Sequence, residues 1–170
     1  PAAMREDLEV GFDTVKRWLT FLAALYHVFE VKPYARSLPR SLKRYGKVYL
    51  WDWASVPGAP ARFENLVGSH LLKACHFWTD TGQGDFQLRY LRTKDGHEID
   101  FLLVRDGEPW LPVEVKQRDA AVAPSWARFA PLLPCRRGVQ IVGGTTRKLH
   151  RFGPTEVLVV GAAEALGSLV

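Results

Sequence analysis

The chain has 170 residues, 47% of them hydrophobic and 24% charged, which is the composition of an ordinary globular domain and excludes a disordered or low-complexity protein. Its net charge of +5 permits a polyanionic partner without demanding one, and there is no long Lys/Arg tail to settle the matter. No apolar run reaches the roughly 18 residues of a membrane span. The two cysteines, Cys75 and Cys135, stand far apart with no C-x-x-C pair, so a zinc ribbon is unsupported and reduced, cytoplasmic thiols are expected.

No signal peptide is visible, because Pro1-Ala2-Ala3-Met4-Arg5 runs into the acidic Glu6-Asp7-Leu8-Glu9. The absence of an initiator Met suggests a piece of a longer protein. Residues 2–9 have the pattern of a short helix closed by a turn at Gly11. A longer helix follows, with Asp13 as its cap and Val15, Trp18, Leu19, Leu22, Leu25, Tyr26 and Phe29 as one apolar face. Val31-Lys32-Pro33-Tyr34 and Lys47-Val48-Tyr49-Leu50-Trp51 read as extended. Between them lies a basic loop with Arg36, Arg40, Lys43, Arg44 and Lys47, the last also opening the second extended segment. Helix, turn, longer helix and a ribbon with a basic tip is the order of a winged helix-turn-helix, in which Lys16, Arg17 and Thr20 of the second helix would meet DNA. A helical hairpin with a ribbon packed on the next domain satisfies the same pattern.

Val56-Pro57-Gly58-Ala59-Pro60 breaks regular structure and marks a boundary, giving segments 1–56 and 61–170. Beyond it the pattern predicts a helix over 61–78 and strands over 86–92, 98–105 and 110–116. A helix over 126–133, strands over 138–142 and 156–160, and a last helix over 162–169 complete the chain. The order α-β-β-β-α-β, followed by a tail, indicates an α/β fold with a mixed sheet.

The chemistry-bearing residues cluster on two of these strands. Alternation predicts that Glu98, Asp100 and Leu102 share one face of their strand, with Ile99 and Phe101 on the other. On the next strand Glu114 and Lys116 oppose Val113 and Val115. Register decides whether the charges meet. A three-residue loop over Asp106 to Glu108 places Asp100 opposite Glu114 and Glu98 opposite Lys116. A two-residue turn slips the pairing by one and separates the carboxylates, unless a bulge restores it. Converging carboxylates raise one another's pKa until a cation neutralises them. A hard ion such as Mg²⁺ or Mn²⁺ suits such oxygen donors, with the Val115 carbonyl as a further ligand. Lys116 would then position the attacking water or stabilise phosphate charge. Glu64, one turn into its helix, either approaches this site or serves as a first-turn carboxylate favoured by the helix dipole. Glu-x-Lys on a strand also has an ordinary explanation in cross-strand ion pairing.

Asp100 followed by Glu114-Val115-Lys116, on consecutive strands after a Glu-bearing helix, resembles the PD-(D/E)XK nuclease superfamily. More narrowly, Phe63-Glu64-Asn65-Leu66-Val67, Glu98-Ile99-Asp100-Phe101 and Val113-Glu114-Val115-Lys116 resemble the uncharacterised C-terminal domain of a group of prokaryotic AAA+-type ATP-binding proteins. In those proteins the domain follows a winged-helix segment. Thr14-Val15-Lys16-Arg17-Trp18-Leu19 and Lys47-Val48-Tyr49-Leu50-Trp51-Asp52 fit that pattern too, so the resemblance covers about Leu8 to Phe129. It implies a restriction-endonuclease-like core with a nuclease-type metal site, without implying cleavage; the expected substrate of a nuclease here is DNA first and RNA second. One departure is Ile99, which stands where the superfamily motif has proline. No Walker A motif is present, so an ATPase, if it belongs to the protein, would lie upstream.

The remaining candidates carry weaker signals. Gln117 and His97 adjoin the acidic cluster, but an exposed polar residue and a turn residue explain them. The histidines form no H-x-x-x-H or H-x-x-H pair, and the tryptophans are too dispersed for a base-stacking platform. The expected alternative to a nuclease is a non-catalytic DNA- or protein-binding module with a vestigial site.

Overall fold

A computed structural model describes residues 10–34, 46–93, 96–118 and 121–169. The expected helix over 2–9 and the basic residues Arg36, Arg40, Lys43 and Arg44 lie outside the described residues. The elements are α1 (Phe12–Ala24), β1 (Val28–Pro33), β2 (Lys47–Leu50), a 3-10 turn (Trp53–Ser55), α2 (Ala59–Asp80), β3 (Phe86–Arg92), β4 (Glu98–Arg105) and β5 (Glu108–Lys116). They continue with α3 (Ser125–Phe129), a 3-10 turn (Ala130–Leu132), β6 (Arg137–Val142), β7 (Arg147–Phe152), β8 (Thr155–Gly161) and α4 (Ala162–Gly167).

All the strands join one mixed sheet in the order β2-β1-β3-β4-β5-β6-β8-β7. β1 runs parallel to β3, and β5, β6 and β8 run parallel to one another, while the other neighbours are antiparallel. α2 covers one face, its Val67 and Leu71 clustering with Phe101, Leu103, Val113 and Val115, and α4 packs against the same cluster. α3 covers the other face, where Trp126 and Phe129 meet Ile99 and Val157. The close seat of α2 depends on Gly68: a Cβ there would lie 2.8 Å from the buried Phe101 ring.

The sheet crosses the boundary expected at 57–60. β1, before it, pairs with β3, after it, through Lys32↔Arg89 and Pro33↔Tyr90. Ala59 and Pro60 begin α2, because proline in a helix's first turn loses no hydrogen bond that the helix would make.

α1 is shorter than expected. It closes at Leu25 with a Schellman pattern, in which the Tyr26 N–H donates to the Ala23 carbonyl (3.0 Å) and the His27 N–H to the Leu22 carbonyl (2.8 Å). Tyr26 takes the left-handed conformation that closure needs, with φ 55°. Phe29 consequently belongs to β1, and Asp13 sits in the first turn behind the N-cap Gly11. The single apolar face of α1 divides as well: Val15 is buried, whereas Trp18, Leu25 and Tyr26 are exposed.

Two deviations from regular pairing shape the middle of the sheet. The β4–β5 turn has two residues, Asp106 (φ 52°) and Gly107 (φ 83°), the paired positive angles of a type I′ hairpin. Such a turn alone would slip the strands out of the required register. A bulge at Trp110 takes up one residue, so Val104 pairs with Pro109 but Leu103 pairs with Leu111 and Phe101 with Val113. A second irregularity lies between β3 and β4, where Arg89↔Leu102 is followed by Leu91↔Ile99, leaving Asp100 and Phe101 both opposite Tyr90. A bulge of this kind turns two successive side chains toward one side. Strict alternation puts Ile99 and Phe101 on one face, and the bulge separates them. Ile99 packs with Trp126 beneath α3, and Phe101 packs with Val67 beneath α2.

Candidate active site

The site lies where β4 and β5 part company beyond Phe101↔Val113. The ladder does not continue through backbone atoms there. Instead the Val115 N–H donates to Asp100 Oδ2 at 2.8 Å, so a carboxylate takes the place of a strand carbonyl. The β3–β4 bulge turns Asp100 toward the α2 side, where Lys47 Nζ approaches its Oδ1 at 3.8 Å. Glu114 alternates with Val113 and Val115, both in the cluster beneath α2, and so points the other way, toward Ser125. Asp100 and Glu114 thus flank the opening between the strands instead of sharing one charged face.

Burial dominates the electrostatics, with repulsion from neighbouring carboxylates added at Asp100. Asp100 is raised to about 7, by burial first and then by Glu114 and Glu64, against the pull of Lys47 and the Val115 N–H. Glu114, only 3% exposed, is also raised by burial, although Lys116 opposes this from 2.7 Å. Its Oε2 is buried without a hydrogen-bond partner, and so is Ser125 Oγ. The serine hydroxyl approaches the carboxylate without completing a bond. Burial works against the charge of Lys116, but Glu114, Asp100 and Glu64 outweigh it and raise the ammonium pKa.

On the α2 side a residue assigned by sequence to the basic loop occupies the centre. Lys47 Nζ ion-pairs with Glu64 Oε1 (3.0 Å) and with Glu98 Oε1, and lies 5.6 Å from the centre of the Tyr90 ring. Two residues along the same strand, the Tyr49 hydroxyl donates to Glu64 Oε1 at 2.7 Å. Burial opposes the Lys47 charge, but Glu64, Glu98 and Asp100 together raise its pKa. Glu98, expected opposite Lys116, instead meets Lys47 and Arg92, because β4 has left β5 at that point.

Asn65 holds this wall in position. It is 3% exposed, accepts from the Leu50 N–H (2.8 Å) and donates to the Leu50 carbonyl (2.7 Å), which fastens the end of β2 to α2. Behind Glu114, the fully buried Gln140 accepts from the Ala123 N–H and donates to the Ala121 carbonyl, anchoring the segment that leads to Ser125. Neither amide carries a sequence signal beyond being polar at a core position. Lys16 and Arg17 are exposed on α1, outside the carboxylate cluster.

A family model described as "Domain of unknown function (DUF4143)" matches residues 61–155. The chain belongs to this family. The DUF4143 match includes Glu64, Asp100, Glu114 and Lys116, whereas Lys47 and Tyr49 precede it. No curated protein and no solved structure matches the chain.

The donor set of this DUF4143 domain fits a hard divalent cation in part. Asp100 and Glu114 supply carboxylate oxygens, one of them buried and unpartnered, at a place where burial has raised both pKa values. Glu64, the third expected carboxylate, is engaged by Lys47 and Tyr49. Among the described residues no three His, Cys, Asp or Glu side chains are gathered as a ready metal cage.

Proposed function

We propose that this DUF4143 chain is a nuclease-like domain that hydrolyses DNA phosphodiesters, and that its α2-β3-β4-β5-α3-β6 order is a restriction-endonuclease-like core. The observation that carries the reading is the pair of buried carboxylates, Asp100 and the unpartnered Glu114, beside the ammonium of Lys116 at the parted strands. Asp100, Glu114 and the Val115 carbonyl would hold Mg²⁺ or Mn²⁺, which supplies Lewis acidity for water activation and for developing phosphate charge. Lys116 is 41% exposed at its side chain and so can reach a phosphate from solvent. Its raised pKa keeps it protonated at neutral pH, which suits electrostatic stabilisation and excludes it as a ground-state base. Gln140 holds the loop on the α3 side through Ala121 and Ala123. An upstream ATPase in the same protein is the partner this reading implies.

The test is cleavage of plasmid and single-stranded DNA with Mg²⁺ or Mn²⁺. Asp100→Ala and Lys116→Ala should each reduce the rate by about 100-fold or more while retaining a cooperative unfolding transition. Cleavage unchanged in both variants refutes it.

One observation favours a second reading, a non-catalytic DNA- or protein-binding module. Lys47 already neutralises Glu64, Glu98 and Asp100, as a decayed metal site would require. The exposed Lys16 and Arg17 on α1 would then contact phosphates in winged-helix fashion. DNA binding that persists in EDTA, weakens with salt and is never followed by cleavage would select it.

A further inference from the structure

We infer that Lys47 is a resident counter-cation of the acidic site, which a divalent metal must displace before Glu64 and the free oxygen of Asp100 become available as ligands. The inference rests on the metal-site reading above and adds a residue to it that governs metal affinity. Three carboxylates from two elements converge on one ammonium: Glu64 from α2, and Glu98 and Asp100 from β4. The ammonium reaches them from β2, far away in sequence, and lies over the buried Tyr90 ring. Its side chain is only 23% exposed, so water does little to screen the attraction.

Position separates the two lysines. Lys116 pairs with Glu114 on the far side of the parted strands and is 41% exposed. Lys47 stands on the α2 side among Glu64, Glu98 and Asp100. The unpartnered Glu114 Oε2 is therefore available to a cation at once, whereas Glu64 and Asp100 Oδ1 are not. A divalent ion entering here gains a ligand pair only by driving a positive charge out of a half-buried position, which lowers its apparent affinity. Tyr49 reinforces the arrangement, since its hydroxyl occupies the same Glu64 oxygen that Lys47 uses.

The test is calorimetric titration of Mn²⁺ into the wild-type chain, Lys47→Met, Lys47→Arg and the double variant Lys47→Met/Asp100→Asn. Lys47→Met should bind Mn²⁺ at least about ten-fold more tightly than wild type, because it keeps the aliphatic length and loses the competing charge. Lys47→Arg should stay within about three-fold of wild type, and the double variant should lose the gain. Binding by Lys47→Met that is equal to or weaker than wild type overturns the inference. So does equal tightening in Lys47→Arg, which would assign the effect to packing, or a gain that survives Asp100→Asn. If Lys47→Met does not fold alone, Mn²⁺ should restore a cooperative thermal transition, and failure to do so also overturns it. Tightened binding without DNA cleavage keeps this inference and removes the nuclease reading. Cleavage with unchanged Mn²⁺ affinity in Lys47→Met does the reverse.

Discussion

Replacing Asp100 with asparagine should make the protein more stable at neutral and alkaline pH. Folding raises this carboxyl from an ordinary value of 3.8 to about 7, through burial and then the neighbouring Glu114 and Glu64. The folded state therefore holds the proton more tightly than the unfolded chain. The resulting stability is complete below pH 3.8 and is lost as pH rises through 7. At 1.36 kcal/mol per unit the whole shift corresponds to about 4 kcal/mol, of which about 2–3 kcal/mol is lost between pH 5 and pH 8. The amide of Asp100→Asn would be neutral throughout and would still offer a carbonyl oxygen to the Val115 N–H, which bridges the parted strands. Urea unfolding of both proteins at pH 5, 6, 7 and 8, without divalent ions, reads the effect directly. The stability of Asp100→Asn relative to wild type should climb by about 2–3 kcal/mol across that range. A difference that stays flat, or a variant less stable than wild type at pH 8, refutes the view that Asp100 is held in an environment hostile to its charge.

Two further outcomes follow from buried groups. Asn65→Ala removes both bonds to the Leu50 backbone and leaves a donor and an acceptor without partners, so urea unfolding should show a loss of about 2–4 kcal/mol. A loss below about 1 kcal/mol would mean that β2 is not fastened through Asn65. Cys75 and Cys135 are buried thiols, and burial pushes them up to about 12 and about 11 respectively. At pH 8 at most about one in a thousand of either is thiolate, so the native protein should not react with Ellman's reagent, whereas in guanidinium both should. Rapid labelling of the native protein would contradict that burial.

The parts of the fold that were legible in the sequence are those fixed by local pattern. β3 and β4 run over Phe86–Arg92 and Glu98–Arg105, the bounds that alternation and the flanking turn residues predict. The hairpin register was legible as a dependence: a two-residue turn with a bulge restores the pairing that a three-residue loop would have given, and Asp106-Gly107 with Trp110 does so. β7 was not legible. It is an edge strand, Arg147–Phe152, mostly exposed and rich in Arg and Lys, so it has no apolar alternation to betray it. The bulge that turns Asp100 and Phe101 to one side was equally hidden, because it depends on how β3 meets β4 and not on either strand alone. The role of Lys47 was hidden for a related reason. Its neighbours in sequence suggest a basic loop, while its neighbours in space come from a parallel pairing of β1 with β3.

That pairing makes the ribbon part of the site. Glu64, Glu98, Asp100 and Glu114 all lie within the matched family domain, and among its described residues Lys116 pairs with Glu114 and Arg92 with Glu98. The carboxylates on the α2 side receive their central positive charge from Lys47, which precedes the match, and Glu64 receives its hydroxyl donor from Tyr49 beside it. Breaking a buried ion pair by removing one partner costs more than the pair contributes, because an uncompensated charge is left behind. A boundary drawn at 57–60 would therefore separate an acidic cluster from the cation that offsets it. Charge balance, as well as the continuous sheet, joins β1 and β2 to the domain that follows. Any movement of the ribbon relative to α2 would change the electrostatics at Asp100 before it changed a single bond on the Glu114 side, since Lys47 and Tyr49 reach only the α2 face. The two halves of the site meet at Asp100, whose pKa Glu114 pushes up and Lys47 pulls down.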